Sequence, residues 1–126
     1  MRTVLVVDDE FGTVEVLLAA LEDAGYQVFT AANGRRGLEQ IAENKPDLVV
    51  SDFMMPLMDG AAMVTTMRAN PSFRDIPVIM MSAVPEAALR KRLEGYEAFL
   101  RKPFRIPALL EIVRSILARA PAPKQP

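Results

Sequence analysis

Short runs of apolar residues alternate along the chain with longer stretches in which apolar residues recur every three or four positions. Thr3 to Val7 is a continuous run rich in β-branched residues, which is typical of a strand buried on both faces. From Phe11 to Ala24 the apolar residues have helical spacing, and Gly25 follows where a helix would end. The same alternation continues through the chain. It predicts strands at 3–7, 26–30, 47–51, 77–82 and 97–100, and helices at 11–24, 35–43, 60–69, 86–94 and 106–119.

Strands that alternate with helices are typical of a parallel sheet with helices on both faces. Right-handed crossovers then give a doubly wound α/β fold of five strands and five helices. We predict one domain at 1–120, and we expect 121–126 to be a flexible tail or the start of a linker.

Composition removes several kinds of chemistry. The chain has no cysteine and no histidine, which excludes disulfides, thiolate nucleophiles, Ser-His-Asp catalysis and histidine-ligated zinc. Neither a signal peptide nor a membrane span is predicted, so we expect a cytoplasmic protein without membrane contact. Acidic residues dominate the first half of the chain and basic residues the second. We interpret the basic run as a solvated face and expect no direct contact with nucleic acid.

Polar residues stand where the predicted strands end. They are Asp8 and Asp9 after the first strand, Asp52 after the third, Ser82 at the end of the fourth and Lys102 after the fifth. Taken singly, each has an ordinary explanation: the first two as helix caps, Asp52 as a turn former, Ser82 as a polar residue at a strand end, and Lys102 as a solvated side chain. In a doubly wound sheet, however, the carboxyl ends of the strands form one edge, where ligands bind.

Three carboxylates gathered at one edge repel one another and raise each other's pKa. A hard divalent cation such as Mg²⁺ relieves that repulsion and bridges to phosphate oxygens, so the acids predict a magnesium ion and a phosphoryl group. Asp52 is central and is the candidate nucleophile for an aspartyl phosphate. Lys102 would neutralise one phosphoryl oxygen, and Ser82 would hydrogen-bond another.

Four strings in this order, VLVVDDE, SDFMMPLMDG, PVIMMSA and FLRKPF, resemble the response regulator receiver domain of two-component signalling. The resemblance covers nearly the whole chain and implies a flavodoxin-like sheet of strand order 2-1-3-4-5. It implies that Asp52 accepts phosphate from a histidine kinase or a histidine phosphotransfer protein. It also implies a Mg²⁺ site, in which Mn²⁺ can substitute, formed by Asp8, Asp9, Asp52 and the backbone carbonyl of Met54.

The resemblance further implies that Ser82 moves to contact the phosphoryl group, that Lys102 pairs with it, and that the Lys102–Pro103 bond is cis. Phe99 would be the aromatic switch residue. The signal would leave through helix four, strand five and helix five to a downstream protein. The stretch from Ser82 to Lys102 is shorter than usual for the family, so we expect helix four to be short or displaced.

Three alternatives use the same residues differently. A receiver-like module would bind partners without being phosphorylated. A haloacid-dehalogenase-type phosphatase also uses an aspartate nucleophile, but it carries a second aspartate two residues later, where this chain has Met54. A flavodoxin-like electron carrier would share the fold, but it would need a phosphate-binding loop rich in Ser, Thr and Gly after the first strand, and none is found there. We therefore expect a signalling phospho-acceptor rather than an enzyme, with at most self-phosphorylation and self-dephosphorylation.

Overall fold

The computed structural model describes residues 1–119, which form a five-stranded parallel sheet with helices on both faces. The strands are β1 (Thr3–Val7), β2 (Gln27–Ala31), β3 (Leu48–Asp52), β4 (Val78–Ser82) and β5 (Ala98–Arg101). The helices are α1 (Phe11–Asp23), α2 (Gly34–Asn44), α3 (Gly60–Ala69), α4 (Glu86–Arg90) and α5 (Ile106–Arg119). The strand order is β2-β1-β3-β4-β5, which confirms the expected fold. The predicted domain end at residue 120 and the tail 121–126 lie outside the described residues.

Two apolar cores lie on opposite faces of the sheet, because successive side chains of a strand point to opposite sides. On one face α1 and α5 cover β-strand residues such as Val6 and Val50. On the other face α2, α3 and α4 cover residues such as Val7 and Val49. Strands β1, β3 and β4 are therefore apolar along almost their whole length, as parallel strands buried on both faces require. Within residues 1–119, no helix combines the length and the apolar character needed to cross a membrane.

Local signals fix most helix ends. Gly25 follows α1 with a φ of 99°, a left-handed conformation that glycine adopts without strain. Asn33 and Asp59 cap α2 and α3, with side-chain oxygens that accept from the backbone N–H groups of Arg36 and Ala62. Nine of the ten predicted elements agree with the structure to within one residue at each end.

Helix α4 is the exception, because it ends at Arg90 and not at residue 94 as the apolar spacing predicted. Its N-cap is Pro85, which supplies no side-chain hydrogen bond, and a helix of five residues has few bonds of its own. Leu89 and Leu93 are nevertheless both buried, as the helical pattern required. The chain then turns at Gly95, whose φ is 84°, and enters β5. The expectation of a short helix four is confirmed.

Candidate functional site

The site begins with Asp52, the last residue of β3. Because β1, β3 and β4 run parallel and in register, with Val7 beside Ser51 and Asp52 beside Met81, their carboxyl ends lie at one edge of the sheet. Asp52 is only 9% exposed. A carboxylate placed there has little water around it and depends on neighbouring side chains for charge compensation.

Asp8, Asp9 and Asp52 converge as predicted. Each offers a carboxylate oxygen, and these three oxygens all lie within 4.8 Å of one another. Asp8 is buried, and one of its oxygens accepts from the backbone N–H of Glu10 at 2.9 Å. The N-cap of α1 is Glu10, without a side-chain cap bond, so the alternative that Asp8 and Asp9 cap this helix is wrong.

Lys102 connects the two buried acids. Its Nζ lies 2.9 Å from Asp8 Oδ2 and 3.3 Å from Asp52 Oδ1. The side chain is 19% exposed, so the alternative of a solvated lysine is wrong as well. The bond between Lys102 and Pro103 is cis, as the resemblance implied. Burial lowers the pKa of Lys102, but the hydrogen bond to Asp8 and the charges of both acids outweigh burial and hold this pKa above its ordinary value.

The pKa of Asp52 is raised to about 6. Burial is the largest cause, and the charge of Asp8 adds to it. The charge and hydrogen bond of Lys102, together with a hydrogen bond from the Phe53 backbone, act in the opposite direction without cancelling the rise. One ammonium therefore does not balance the carboxylates, and a further cation or a proton is needed at this edge of the sheet.

The donor set fits a hard divalent ion. Three carboxylates offer only oxygen ligands, and the exposed side chain of Asp9 leaves one side of the cluster open to water. Mg²⁺ binds through one or two carboxylates while it keeps several waters, which matches this arrangement of buried and exposed acids. The cluster formed by Asp8, Asp9 and Asp52 can therefore hold a metal ion.

Ser82 ends β4 at the same edge and is 1% exposed. Its Oγ accepts a hydrogen bond from the backbone N–H of Val84 at 3.0 Å, which ties it to the turn that leads into α4. Phe99, in β5, is half-buried against the core that α2, α3 and α4 cover. Its role as a switch residue and the movement of Ser82 stay predictions.

The loop after Asp52, residues 53–59, is tightly built. Leu57 has a φ of 67° and the N–H of Met58 donates to the carbonyl of Pro56 at 2.7 Å, which together form a strained γ-turn. The loop closes where the Gly60 N–H donates to the Phe53 carbonyl at 2.8 Å. A glycine is required at 60 because a Cβ there would lie 2.2 Å from the carbonyl oxygen of Asp52. Met54, whose carbonyl was predicted to bind the metal ion, has an exposed side chain.

Sequence reasoning missed Arg92. Its Nη1 lies 2.8 Å from Asp59 Oδ2, and its guanidinium carbon lies 5.5 Å from the centre of the Phe53 ring. Nothing in the sequence distinguishes it from its basic neighbours Arg90 and Lys91. Arg92 and Asp59 are 33 positions apart, so their contact depends on the fold and leaves no pattern in the local sequence.

A groove of about 670 Å³ opens beside the acidic cluster, between the start of α1 and the loop after β5. Val16, Leu17, Phe104 and Ile106 give it apolar walls, and Lys102 also lines it. The groove therefore joins an apolar surface to the lysine that contacts Asp8 and Asp52.

Comparison with known proteins is consistent with this geometry. Residues 4–114 match the family model of the response regulator receiver domain. Response regulator Rre1 of Synechocystis is 38% identical over 95% of this chain and 53% of its own length. Transcriptional regulatory protein PrrA of Mycobacterium tuberculosis is 38% identical over 92% of this chain and 50% of its own. The chain thus spans about half the length of the curated relatives it matches.

Solved structures are also similar. The signal receiver domain of a histidine kinase from Syntrophus aciditrophicus has a TM-score of 0.87 and 31% identity, with 99% of this chain and 98% of that one covered. Chemotaxis response regulator CheY4 of Vibrio cholerae has a TM-score of 0.84 and 32% identity, with 92% and 98% covered.

One relative corrects the scope of a prediction. RpaA of Synechocystis, 31% identical over 94% of this chain and 50% of its own length, is named a DNA-binding regulator. The expectation of no direct contact with nucleic acid was drawn from this chain alone, and it does not extend to RpaA, which is about twice as long as the part that this chain matches. Matched strings, strand order, acidic cluster and relatives all agree: this chain belongs to the response regulator receiver domain family of two-component signalling.

Proposed function

We propose that Asp52 of this chain accepts a phosphoryl group from a phosphohistidine in a histidine kinase or a histidine phosphotransfer protein. A carboxylate oxygen of Asp52 forms a new bond to phosphorus while the bond between phosphorus and the donor's imidazole nitrogen breaks. The imidazole leaves with both electrons of that bond and takes up a proton. The observation that supports this assignment above all is Lys102, whose ammonium group lies within ion-pair distance of both Asp8 and Asp52.

Each site residue has a role that follows from its position. Asp8, Asp9, Asp52 and the Met54 carbonyl would hold Mg²⁺, which supplies charge neutralisation for the phosphoryl oxygens when bound. Lys102 neutralises a further oxygen, and Ser82 donates its hydroxyl hydrogen to another. We expect Mn²⁺ to substitute, because it also prefers carboxylate, carbonyl and water oxygens.

Partners would meet the chain on two surfaces. The donor would approach through the apolar groove between α1 and the loop after β5, since Lys102 lines this groove and contacts Asp52. The signal would leave through α4, β5 and α5, where phosphorylation biases a segment between two arrangements. The chain would thus signal as a phospho-acceptor with at most self-phosphorylation and self-dephosphorylation as activity, in the cytoplasm, where we expect its donor.

Intact-mass spectrometry tests the proposal. The chain is incubated with acetyl phosphate and Mg²⁺, and we expect the mass of one phosphoryl group to be added. The addition should be lost in Asp52→Ala and in EDTA, and kept in the control Asp75→Asn, which changes an exposed carboxylate in the loop after α3.

An unlabelled wild-type chain would contradict the proposal and favour the module that binds partners without phosphorylation. Repeated turnover of a small phosphate ester would instead favour the phosphatase alternative. The first result is read by mass from the incubation with acetyl phosphate, and the second by phosphate released in a separate incubation with p-nitrophenyl phosphate.

A further inference from the structure

Arg92 contacts both ends of the loop that follows the phospho-acceptor. Phe53 directly follows Asp52, and its ring lies under the guanidinium of Arg92 at 5.5 Å. Asp59, at the other end of the loop, receives Arg92 Nη1 at 2.8 Å on its Oδ2. Its Oδ1 accepts from the N–H of Ala62 at 2.9 Å, so one carboxylate both caps α3 and pairs with Arg92.

Residues 86–97, here called the α4–β5 segment, depend on such contacts for their shape. Only Glu86–Arg90 of the segment is helical. Beyond it Leu93 is buried, Arg68 donates to the Gly95 carbonyl at 2.8 Å, and Tyr96 donates to Glu86 at 2.8 Å. Arg92 adds the tie that connects this segment to the loop beside Asp52.

The segment is also connected to Ser82 through the main chain. Ser82 Oγ accepts from the N–H of Val84 at 3.0 Å, and Pro85 is already the N-cap of α4. If Ser82 moves towards a phosphoryl oxygen on Asp52, as we predict, this short turn transmits the movement to the start of α4. The contacts of Arg92 with Asp59 and Phe53 hold the segment where it is and oppose that movement.

We propose that Arg92 couples the chemical state of Asp52 to the position of the α4–β5 segment, by tying that segment to both ends of the loop after Asp52. This inference rests on the proposed phosphorylation of Asp52. Coupling of this kind is reciprocal: if phosphorylation strains the tie, then removing the tie favours the phosphorylated arrangement to the same degree.

Removing the contacts of Arg92 should change the affinity for a phosphoryl analogue only modestly. The Arg92 side chain is 52% exposed and that of Asp59 17%, so solvent screens the ion pair. An ion pair and a cation–π contact of this exposure together change an affinity by about three- to tenfold.

Isothermal titration of beryllofluoride, an analogue of the phosphoryl group, in saturating Mg²⁺ measures the effect. Arg92→Gln should bind it about three- to tenfold more tightly than the wild type. Asp59→Asn should also bind more tightly, but by less, because asparagine keeps the helix cap and the contact with Phe53 remains. The double variant should match Arg92→Gln. Arg74→Gln, at an exposed position beyond α3, is the matched control and should bind as the wild type does.

Hydrogen exchange gives a second measurement. Without beryllofluoride, amides of residues 91–97 should exchange faster in Arg92→Gln than in the wild type. Arg92→Lys, which keeps a charge for Asp59, should recover most of the wild-type affinity. If Arg92→Gln does not fold, Arg92→Lys and Asp59→Asn carry the test.

The outcomes separate the two proposals. A wild type that does not bind beryllofluoride, or an Asp52→Ala variant that binds it equally well, overturns the phosphorylation of Asp52 and the coupling with it. A wild type that binds normally, with Arg92→Gln and Asp59→Asn indistinguishable from Arg74→Gln or weaker, overturns the coupling alone.

Discussion

Replacing Asp52 with asparagine should make the metal-free protein more stable at neutral pH, although it removes the residue on which the site depends. Asp52 is 9% exposed and shares its edge of the sheet with Asp8. An amide of the same shape has no charge to desolvate and no charge for Asp8 to repel. Lys102 keeps its partner Asp8 at 2.9 Å in such a variant, so the ammonium is not left unpaired.

The size of the effect follows from the pKa of Asp52. A rise from 3.8 to about 6 means that ionising this carboxyl costs about 3 kcal/mol more in the folded chain than in the unfolded one, at about 1.4 kcal/mol per pKa unit. The attraction of Lys102 is already included in that pKa. We therefore expect Asp52→Asn to raise the free energy of unfolding by up to about 3 kcal/mol at neutral pH.

The upward direction of the pKa shift determines the pH range in which the two proteins differ in stability. Because the folded-state pKa lies above the unfolded value, the folded wild type holds its proton more tightly, and the stability that this carboxyl contributes is fully present below pH 3.8. That stability is lost as the pH rises through about 6. The Asp52→Asn variant would show no such loss, so the difference between the two proteins should open between those two values and stay constant above them.

Denaturation by urea in EDTA, at about pH 4 and about pH 7.5, measures both free energies. Asp75→Asn, an exposed carboxylate in the loop after α3, is the control and should change stability by a few tenths of a kcal/mol at most. Added Mg²⁺ should stabilise the wild type and narrow the gap to Asp52→Asn. A variant no more stable than the wild type at about pH 7.5, or a gap that widens towards acid, would refute the electrostatic account of the site.

Further predictions concern residues around the same site. Gly60→Ala should lower the free energy of unfolding by about 3 kcal/mol, because its Cβ would lie 2.2 Å from the Asp52 carbonyl oxygen. Gly12→Ala is the control and should not lower it, because a Cβ there has nothing within 4 Å. Thermal denaturation compares the two variants. Arg68→Gln should cost about 2 kcal/mol in the same assay, since its guanidinium donates to three main-chain carbonyls. Met54→Asn should shorten the life of the phosphoryl group by roughly tenfold, because residue 54 follows Asp52 by two positions with an exposed side chain, and a polar side chain there can orient an attacking water. The decay of the phosphorylated mass measures this.

Much of the site could be predicted because the fold brings strand ends together. Once Asp8, Asp52 and Ser82 were placed at the ends of buried parallel strands, a single rule about such sheets put them at one edge. Lys102 followed in the same way from the end of the fifth strand. No knowledge of side-chain contacts was needed, since the apolar runs fixed both the direction and the extent of the strands.

What surrounds the site could not be predicted in this way. Leu57 has a positive φ that leucine rarely adopts, and it is imposed by the closure of its loop. The basic run at Arg92 was interpreted as a solvated face, which describes its 52% exposure but not its contacts with Asp59 and Phe53. Such contacts join distant parts of the chain through flexible side chains, and sequence periodicity carries no information about them.

Helix α4 shows where periodicity stops being informative. Leu89 and Leu93 are four residues apart and both are buried. Their spacing predicts a helix, but both side chains reach the core although the helix ends between them. Beyond Arg90 the N–H groups of Arg92 and Leu93 both donate to the Leu89 carbonyl, and the side chains of Arg68 and Arg92 connect this part of the chain to other elements. A segment whose shape depends on contacts with other elements responds when one of those elements changes. A new charge on Asp52, next to the loop that Arg92 contacts, is such a change, and the α4–β5 segment is where we expect its effect to be largest.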